Sequence, residues 1–322
     1  MEGANGAQCG ARGLITLSGV LGVCALELVV LDGNLPAARV HSAVREGLRA
    51  CTISTAFAMR GRFVLPPEWC LLGCIHHTDE ATSWCHGAPL ADGSLLTLMP
   101  GAASEFVLSA GTALSVLVLP FARVQEKLDP AQLRELGSPA LTLSHLHLPP
   151  EHALRDAYQA LQQGITAHSA AMNVAAAHLP VDPLLDQHVR ALAAAGDFDR
   201  AVSGRGRHTH YRILRRAEDF MRRNLRHNLY MKDICEAAEV SERALRYAFD
   251  DLLGVSPNRY LALLRLCAAC RALSAADATR NSVKAIALGY GLWDLSRFAE
   301  SYRRTFGELP RDTLLRACTQ QP

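Results

Sequence analysis

The segment FDDLLGVSPNRYL at residues 249–261 returns, in altered letters, as YRRTFGELPRDTL at residues 302–314. Phe249 aligns with Tyr302, Leu253 with Phe306, Gly254 with Gly307, Pro257 with Pro310 and Leu261 with Leu314, each pair 53 positions apart. Glycine accepts the left-handed backbone that closes a helix, and proline fits the first turn of the helix that follows. An aromatic, a glycine, a proline and a leucine recurring in register mean one helical supersecondary unit used twice.

The residues in front of each copy define the unit. A helix over 211–225 carries Ile213, Leu214, Ala217, Phe220, Met221 and Leu225 at 3–4 spacing. A short helix over 231–238 follows, then a turn at Glu239-Val240, and Ser241 is placed to cap a helix ending at Leu253. The second unit repeats this with a short helix over 283–288, a Gly289-Tyr290-Gly291 turn and Asp294 as cap of a helix over 295–306. Between them Ser256 and Pro257 open a connector reaching Leu273, with aliphatics Leu261 and Leu264 along it. These are helix-turn-helix units, and two of them point to double-stranded DNA.

A recognition helix enters the major groove with its first turns against the base edges. Two on a rigid connector reach successive grooves, about 34 Å apart on one DNA face. Arg243 and Arg246 are each able to grip a guanine bidentately, and Tyr247 to meet a thymine methyl or a phosphate. Ser296, Ala299 and Glu300 are weaker readers, so the first unit is expected to specify sequence more strongly. Lys232, Ser241, Arg265, Lys284, Arg297, Arg303 and Arg304 are candidates for phosphate contact, which positions without specifying.

The strings VSERALRYAFDDLLGVSPNRYLALLRL and YGLWDLSRFAESYRRTFGELPRDTL, within residues 231–273 and 283–315, resemble the AraC/XylS family of bacterial transcription regulators. The resemblance implies a seven-helix DNA-binding domain joined to an N-terminal ligand-binding or dimerisation domain. It places the family's base readers on Arg243, Arg246 and Tyr247, then on Leu295, Ser296, Ala299 and Glu300. It also implies a dimeric regulator, more often an activator, that meets RNA polymerase and an unnamed small-molecule effector; the cytoplasmic location expected for it comes instead from residues 1–31, which read as neither a signal peptide nor a membrane span. Three positions depart from the family pattern. Glu239 stands at the usual turn glycine, at a cost of about 1 kcal/mol if its backbone is left-handed. Leu292 replaces an aromatic, and Leu309 replaces the serine that would cap the last helix.

The rest of the chain reads differently. Residues 1–12 are Gly- and Ala-rich and are expected to be a disordered tail. Residues 13–196 form the expected effector-binding or dimerisation domain, strand-rich to about 125 and helical after, with 197–209 as linker and 210–322 as the DNA-binding domain. Turn signals at Asp32-Gly33-Asn34, Arg60-Gly61, Pro66-Pro67, Asp92-Gly93, Pro100-Gly101 and Ala110-Gly111 suggest a sandwich or small barrel. By plan alone it is similar to the cupin-like sensor half of such regulators. The fold class is α+β, with an all-α double helix-turn-helix domain behind. Leu154, Tyr158 and Leu161, then Leu184, Leu185, His188 and Leu192, carry the helical spacing of 127–196. Those helices are expected to supply a dimer contact or the contact between domains.

Charge follows the same division. Residues 211–322 hold 19 Lys and Arg against 13 Asp and Glu, while the remainder holds 14 against 18. A basic module behind an acidic one suits a nucleic-acid reader attached to something else. The most apolar run, residues 14–31, contains Glu27, Ser18 and Thr16, so buried strands are expected there rather than a membrane span. Cys70, Cys74, His76, His77, Cys85 and His86 invite a metal or thiol-sensor reading, but lack the paired spacing of a zinc site. Core cysteines and turn histidines are the plainer reading, and no metal or cofactor is expected. Cys267 and Cys270 are read as packing. Two alternatives remain: a regulator whose N-terminal half serves assembly or partner binding alone, and, more remotely, a DNA-alkyl repair methyltransferase. The second close cysteine pair that such an enzyme's zinc site needs is missing.

Overall fold

Alternating apolar and polar residues between 27 and 120 produce antiparallel strands with two distinct faces. In the computed structural model, which describes residues 8–32, 35–45, 47–128, 143–149, 151–170, 181–194 and 205–319, helix α1 (Gly10–Ser18) comes first. Strands β1 (Glu27–Val30), β2 (Ala38–Arg45), β3 (Leu48–Thr55), β4 (Met59–Val64) and β5 (Trp69–His77) follow. Next come β6 (Trp84–Cys85), β7 (Ala88–Pro89), β8 (Ser94–Leu98), β9 (Ala103–Leu108) and β10 (Ala113–Pro120). Helix α2 (Phe121–Gln125), strand β11 (Leu143–His147) and helices α3 (Ala153–Ala170) and α4 (Val181–Ala194) complete the first part. The second part is helical: α5 (Arg205–Arg223), α6 (Met231–Ala238), α7 (Glu242–Leu253), α8 (Pro257–Ala275), α9 (Val283–Gly289), α10 (Leu295–Phe306) and α11 (Pro310–Thr319).

The strands form two antiparallel sheets, ordered β1-β4-β9-β6-β7 and β11-β8-β5-β10-β3-β2. No ladder closes them into a barrel among the described residues; the result is a sandwich whose inner faces enclose a core. The outer face of the six-stranded sheet (Cys70, Leu72, Cys74, Leu117) packs against Leu154, Tyr158, Leu161 and Ile165 of α3 and Leu184, Leu185 and Val189 of α4. The outer face of the five-stranded sheet packs against the C-terminal helices. Strand alternation thus builds a stack: helices, sheet, apolar core, sheet, helices.

Several expectations need correction. Residues 10–12, assigned to a tail, begin α1; residues 1–7 lie outside the described part. The apolar run from residue 14 is helical to Ser18 and becomes a strand only at Glu27. Ala11, Leu14, Leu17 and Ser18 share one buried helix face, and the Ser18 hydroxyl donates to the Leu14 carbonyl at 2.9 Å. Arg60-Gly61 is no turn but the middle of β4, pairing with Val107 and Phe106 of β9. Glycine stands there because the Phe106 ring occupies the space of a Cβ, which would lie 2.1 Å from its Cζ. Strand β11 comes after residue 125, where only helices were expected, and α5 begins at Arg205, inside the expected linker. Linker residues 197–204 and the expected helical residues 129–142 lie outside the described part.

Among the described residues the C-terminal part has seven helices. Connector α8 buries Tyr260, Leu263, Leu264, Leu266, Cys267, Ala269, Cys270 and Leu273 around its circumference, as a central rod must. Cys267 accepts from the Val30 backbone N–H at 3.5 Å, and Arg271 donates to the Leu28 carbonyl at 2.8 Å. The rod is therefore seated on β1 as well as between the two helix-turn-helix units.

Candidate nucleic-acid interface

In the first unit, α6 ends at Glu239, whose φ of 59° is left-handed. The glutamate occupies the turn position where glycine would be free of strain, and an exposed ion pair with Arg216 is its only compensation among the described side chains. Ser241 then caps α7 by accepting from the Ala244 N–H, and Gly254 closes it at φ 64°. Leu245, Ala248, Phe249 and Leu252 are buried, which turns Arg243, Arg246 and Tyr247 to solvent. The Arg243 guanidinium lies 5.4 Å from the centre of the Tyr247 ring. Arg246 donates to Glu242 at 2.6 Å, one turn earlier. Glu242, which sequence reasoning passed over, thus holds Arg246 extended across the face. An exposed pair of this kind contributes only about 0.3–0.5 kcal/mol, so a guanine edge can displace it.

The second unit is built alike. Ser282 caps α9, Asp294 caps α10 by accepting from the Arg297 N–H at 3.0 Å, and Gly307 ends it at φ 73°. Phe298, Tyr302 and Phe306 are buried, whereas Ser296, Arg297, Glu300, Arg303 and Arg304 are exposed. Leu295 and Ala299 are only half-exposed, and Leu295 packs against the core. Leu309 supplies no side-chain cap to α11, but Asp312 reaches back and accepts the Leu309 N–H at 3.0 Å, which is half of a capping box.

Lys232 and Lys284 are exposed on the short helices, and Ser241 spends its oxygen on the cap. Arg265 does not join them. Its Nε donates to the Leu225 carbonyl at 3.2 Å and its Nη2 to the His227 carbonyl at 2.6 Å. Burial lowers its pKa. It braces the connector against the loop after α5, under the Gly291 turn, where a Cβ would approach its guanidinium to about 3.0 Å. That is a structural bond between distant segments, which an isolated arginine in a helix pattern does not announce.

The contact between the two parts of the chain carries a buried charge cluster. Arg60 of β4 meets Glu105 of β9 and Glu218 of α5, each at 2.7 Å. Arg62 pairs with Asp219 at 2.7 Å and Glu105 at 3.2 Å, and Arg222 with Glu218 at 2.9 Å. Arg222 also pairs with Glu27, and the Tyr260 hydroxyl donates to Glu218. Burial would push Glu218 up, but Arg60, Arg222 and Arg62 outweigh it and hold its pKa down at about 2. Burial would likewise lower Arg60; Glu218, Tyr260 and Glu105 outweigh it and keep the guanidinium charged. Trp84 lies under Arg60 and donates its indole N–H to the Leu252 carbonyl at the end of α7 at 2.8 Å. Sequence reading missed this cluster, although Glu218 sits among Leu214, Ala217 and Met221 on one apolar stripe. Among the described residues this contact lies on the five-stranded sheet, and α3 and α4 pack on the opposite face of the sandwich.

The cysteine and histidine cluster is divided. Cys70 and Cys74 face α3, Cys85 faces the sandwich core, and burial pushes all three thiols up to about 12. His76 meets Ser115 at 2.8 Å, and His86 lies 3.4 Å from the Tyr211 hydroxyl. Among the described residues no three His, Cys, Asp or Glu side chains converge as metal ligands. No described helix is long and apolar enough to cross a membrane.

Comparison with known proteins agrees with this geometry. A helix-turn-helix domain family matches residues 234–316. The chain is 28% identical over 304 residues to XylDLEGF operon transcriptional activator 1 of Pseudomonas putida, covering 90% of this chain and 88% of that one. It is 39% identical over 101 residues to XylDLEGF operon transcriptional activator 3 of the same organism, 31% of this chain and 30% of that one. Among solved structures, the AraC-like transcriptional activator CuxR superposes with a TM-score of 0.40 and 18% identity over 79% of this chain and 89% of that chain. With two capped recognition helices on a buried connector and the helix-turn-helix match over residues 234–316, the chain is a DNA-binding transcription regulator, similar to the operon activators of Pseudomonas putida.

Proposed function

We propose that the protein is a non-catalytic, effector-responsive activator that binds promoter DNA through α7 and α10 and acts in the cytoplasm. The observation that carries the DNA reading is the exposed Arg243, Arg246 and Tyr247 face on the first turns of a capped, rigidly mounted helix. Arg243 and Arg246 read guanines, Tyr247 a thymine methyl or phosphate, and Ser296, Ala299 and Glu300 a weaker second site. Lys232, Lys284, Arg297, Arg303 and Arg304 neutralise phosphates. Activation is proposed from the names of the relatives, which are operon activators; recruitment of RNA polymerase and action as a homodimer are proposed as the means by which a regulator of this class would activate. The sandwich is proposed as the sensor, because its two inner faces enclose a cavity.

Footprinting on the promoter beside the protein's own gene tests the DNA reading. Arg243→Ala is expected to lose specific protection while the melting temperature holds. Unchanged protection removes Arg243 from the readers. A second reading, in which the sandwich serves assembly alone, is favoured by the small size of that cavity and is separated by ligand-dependent thermal stabilisation of the full chain.

A further inference from the structure

Trp293 is 56% exposed, although tryptophan has more apolar surface to bury than any other side chain. Of the chain's three tryptophans, Trp84 is buried and Trp69 half-buried, so Trp293 alone stands out in solvent. It is nevertheless anchored. Its indole N–H donates to the Asn228 Oδ1 at 3.1 Å, joining the turn before α10 to the loop after α5. Arg265 ties the same two segments, through the Leu225 and His227 carbonyls on one side and the Gly291 turn on the other. The ring is therefore ordered before any partner arrives, which lowers the entropy cost of using it. The indole only donates, so it fixes the Asn228 amide as well. The amide oxygen is taken, and the amide nitrogen remains a donor on an exposed residue.

Position selects the partner. Trp293 immediately precedes Asp294, the cap of α10, so duplex DNA that meets the first turn of α10 meets the indole too. Asn228 and the exposed Tyr230 lie just before α6, and the first helix of a helix-turn-helix crosses the DNA backbone. The patch thus belongs to the stretch of backbone that runs between the two grooves. Arg226, Lys232 and Arg297 are exposed around it in sequence. Asp233 and Asp294 are engaged by the Tyr230 and Arg297 backbone N–H groups, and Glu236 by Lys232 at 3.6 Å.

Resting on the DNA reading above, we propose that Trp293 and Asn228 form a further DNA contact. The indole face lies on a deoxyribose between the two major grooves, and the Asn228 amide nitrogen donates to the adjoining phosphate. The sugar is alike at every base pair, so the contact adds affinity without sequence preference. Neither side chain carries charge, so no counterions are released through it, unlike the lysine and arginine contacts.

The test titrates the full chain with the footprinted promoter duplex and with an unrelated duplex at several salt concentrations. Trp293→Ala is expected to weaken both complexes by about tenfold. The slope of log affinity against log salt and the melting temperature should stay unchanged. Trp293→Phe, which keeps a ring but not the N–H, should recover part of the loss. Tryptophan emission of the wild type should change on adding either duplex and stay constant in Trp293→Phe, a readout that holds even if Trp293→Ala does not fold. Wild-type affinity in Trp293→Ala, with Arg243→Ala still losing specific protection, overturns this contact and leaves the DNA reading standing. Normal DNA binding with lost activation also overturns it and makes the patch a protein-docking surface. Loss confined to the promoter duplex overturns the sugar assignment and makes Trp293 a base reader. Normal binding in both Trp293→Ala and Arg243→Ala overturns the DNA reading of these helices itself.

Discussion

Arg60 and Glu218, neither of which reaches solvent, meet at 2.7 Å across the boundary between the strand-rich and helical parts of the chain. Such a pair is bought with desolvation, and its value lies less in stability than in fixing one orientation. Glu218→Gln leaves Arg60 with half its partners and is expected to destabilise the protein by about 3–5 kcal/mol. The double change Arg60→Met with Glu218→Leu should recover much of that loss. Urea melts of the three variants check both expectations.

Glu239 offers the opposite case, a residue whose replacement improves the fold. Its left-handed backbone is strained for any side chain, and its partner Arg216 is exposed. Glu239→Gly is expected to stabilise the chain by about 1 kcal/mol. Thermal melts should show a higher midpoint with operator binding unchanged.

Acid sensitivity follows from His188. It is fully buried, with the Thr97 hydroxyl at Nε2 and the Tyr158 hydroxyl at Nδ1, both at 2.8 Å. Burial pushes its pKa down to about 3, so the folded imidazole stays neutral. The unfolded chain takes up that proton near pH 6.5, and between the two values stability falls as pH falls. The loss from this group reaches about 2 kcal/mol by pH 5. His76 and His86, each pushed down to about 4 by burial first, add to the trend. His188→Gln should therefore show a shallower decline between pH 7 and pH 5 than the wild type, measured by denaturant melts at each pH.

On DNA, the base readers and the phosphate contacts should separate experimentally. Arg246→Ala is expected to cost about 1–3 kcal/mol on the preferred sequence and to relax preference at one base pair. Lys284→Ala should weaken binding to all sequences alike and reduce the slope of log affinity against log salt by about 1. Titrations at several salt concentrations distinguish the two patterns.

The helical third was legible because its signals are local. Ser241, Gly254, Ser256, Asp294 and Gly307 sit where caps must sit, and the helices between them end at the residues those caps dictate. The first half was legible only in class. Gly61 reads as a turn until Phe106, 45 residues away, is known to lie over it. The run from residue 14 reads as strand when its apolar content is weighed above the 3–4 spacing of Ala11, Leu14 and Ser18. Arg265 looked free because its partners, the Leu225 and His227 carbonyls, belong to a loop that no pattern ties to the connector. In each miss the deciding atom is remote in sequence.

Strands β4 and β9 are one residue thick, yet each serves two chambers. Met59, Phe63, Ser104, Phe106 and Leu108 face the cavity, while Arg60, Arg62 and Glu105 face the DNA-binding domain. Odd and even positions can therefore diverge separately: descendants of this chain can change what the cavity accepts by substitution alone and inherit the domain contact intact. Deletion of a single residue is another matter. It would exchange the two faces, carrying a guanidinium into an apolar chamber and a phenylalanine into an ion cluster, so these two strands should vary in letters but not in length.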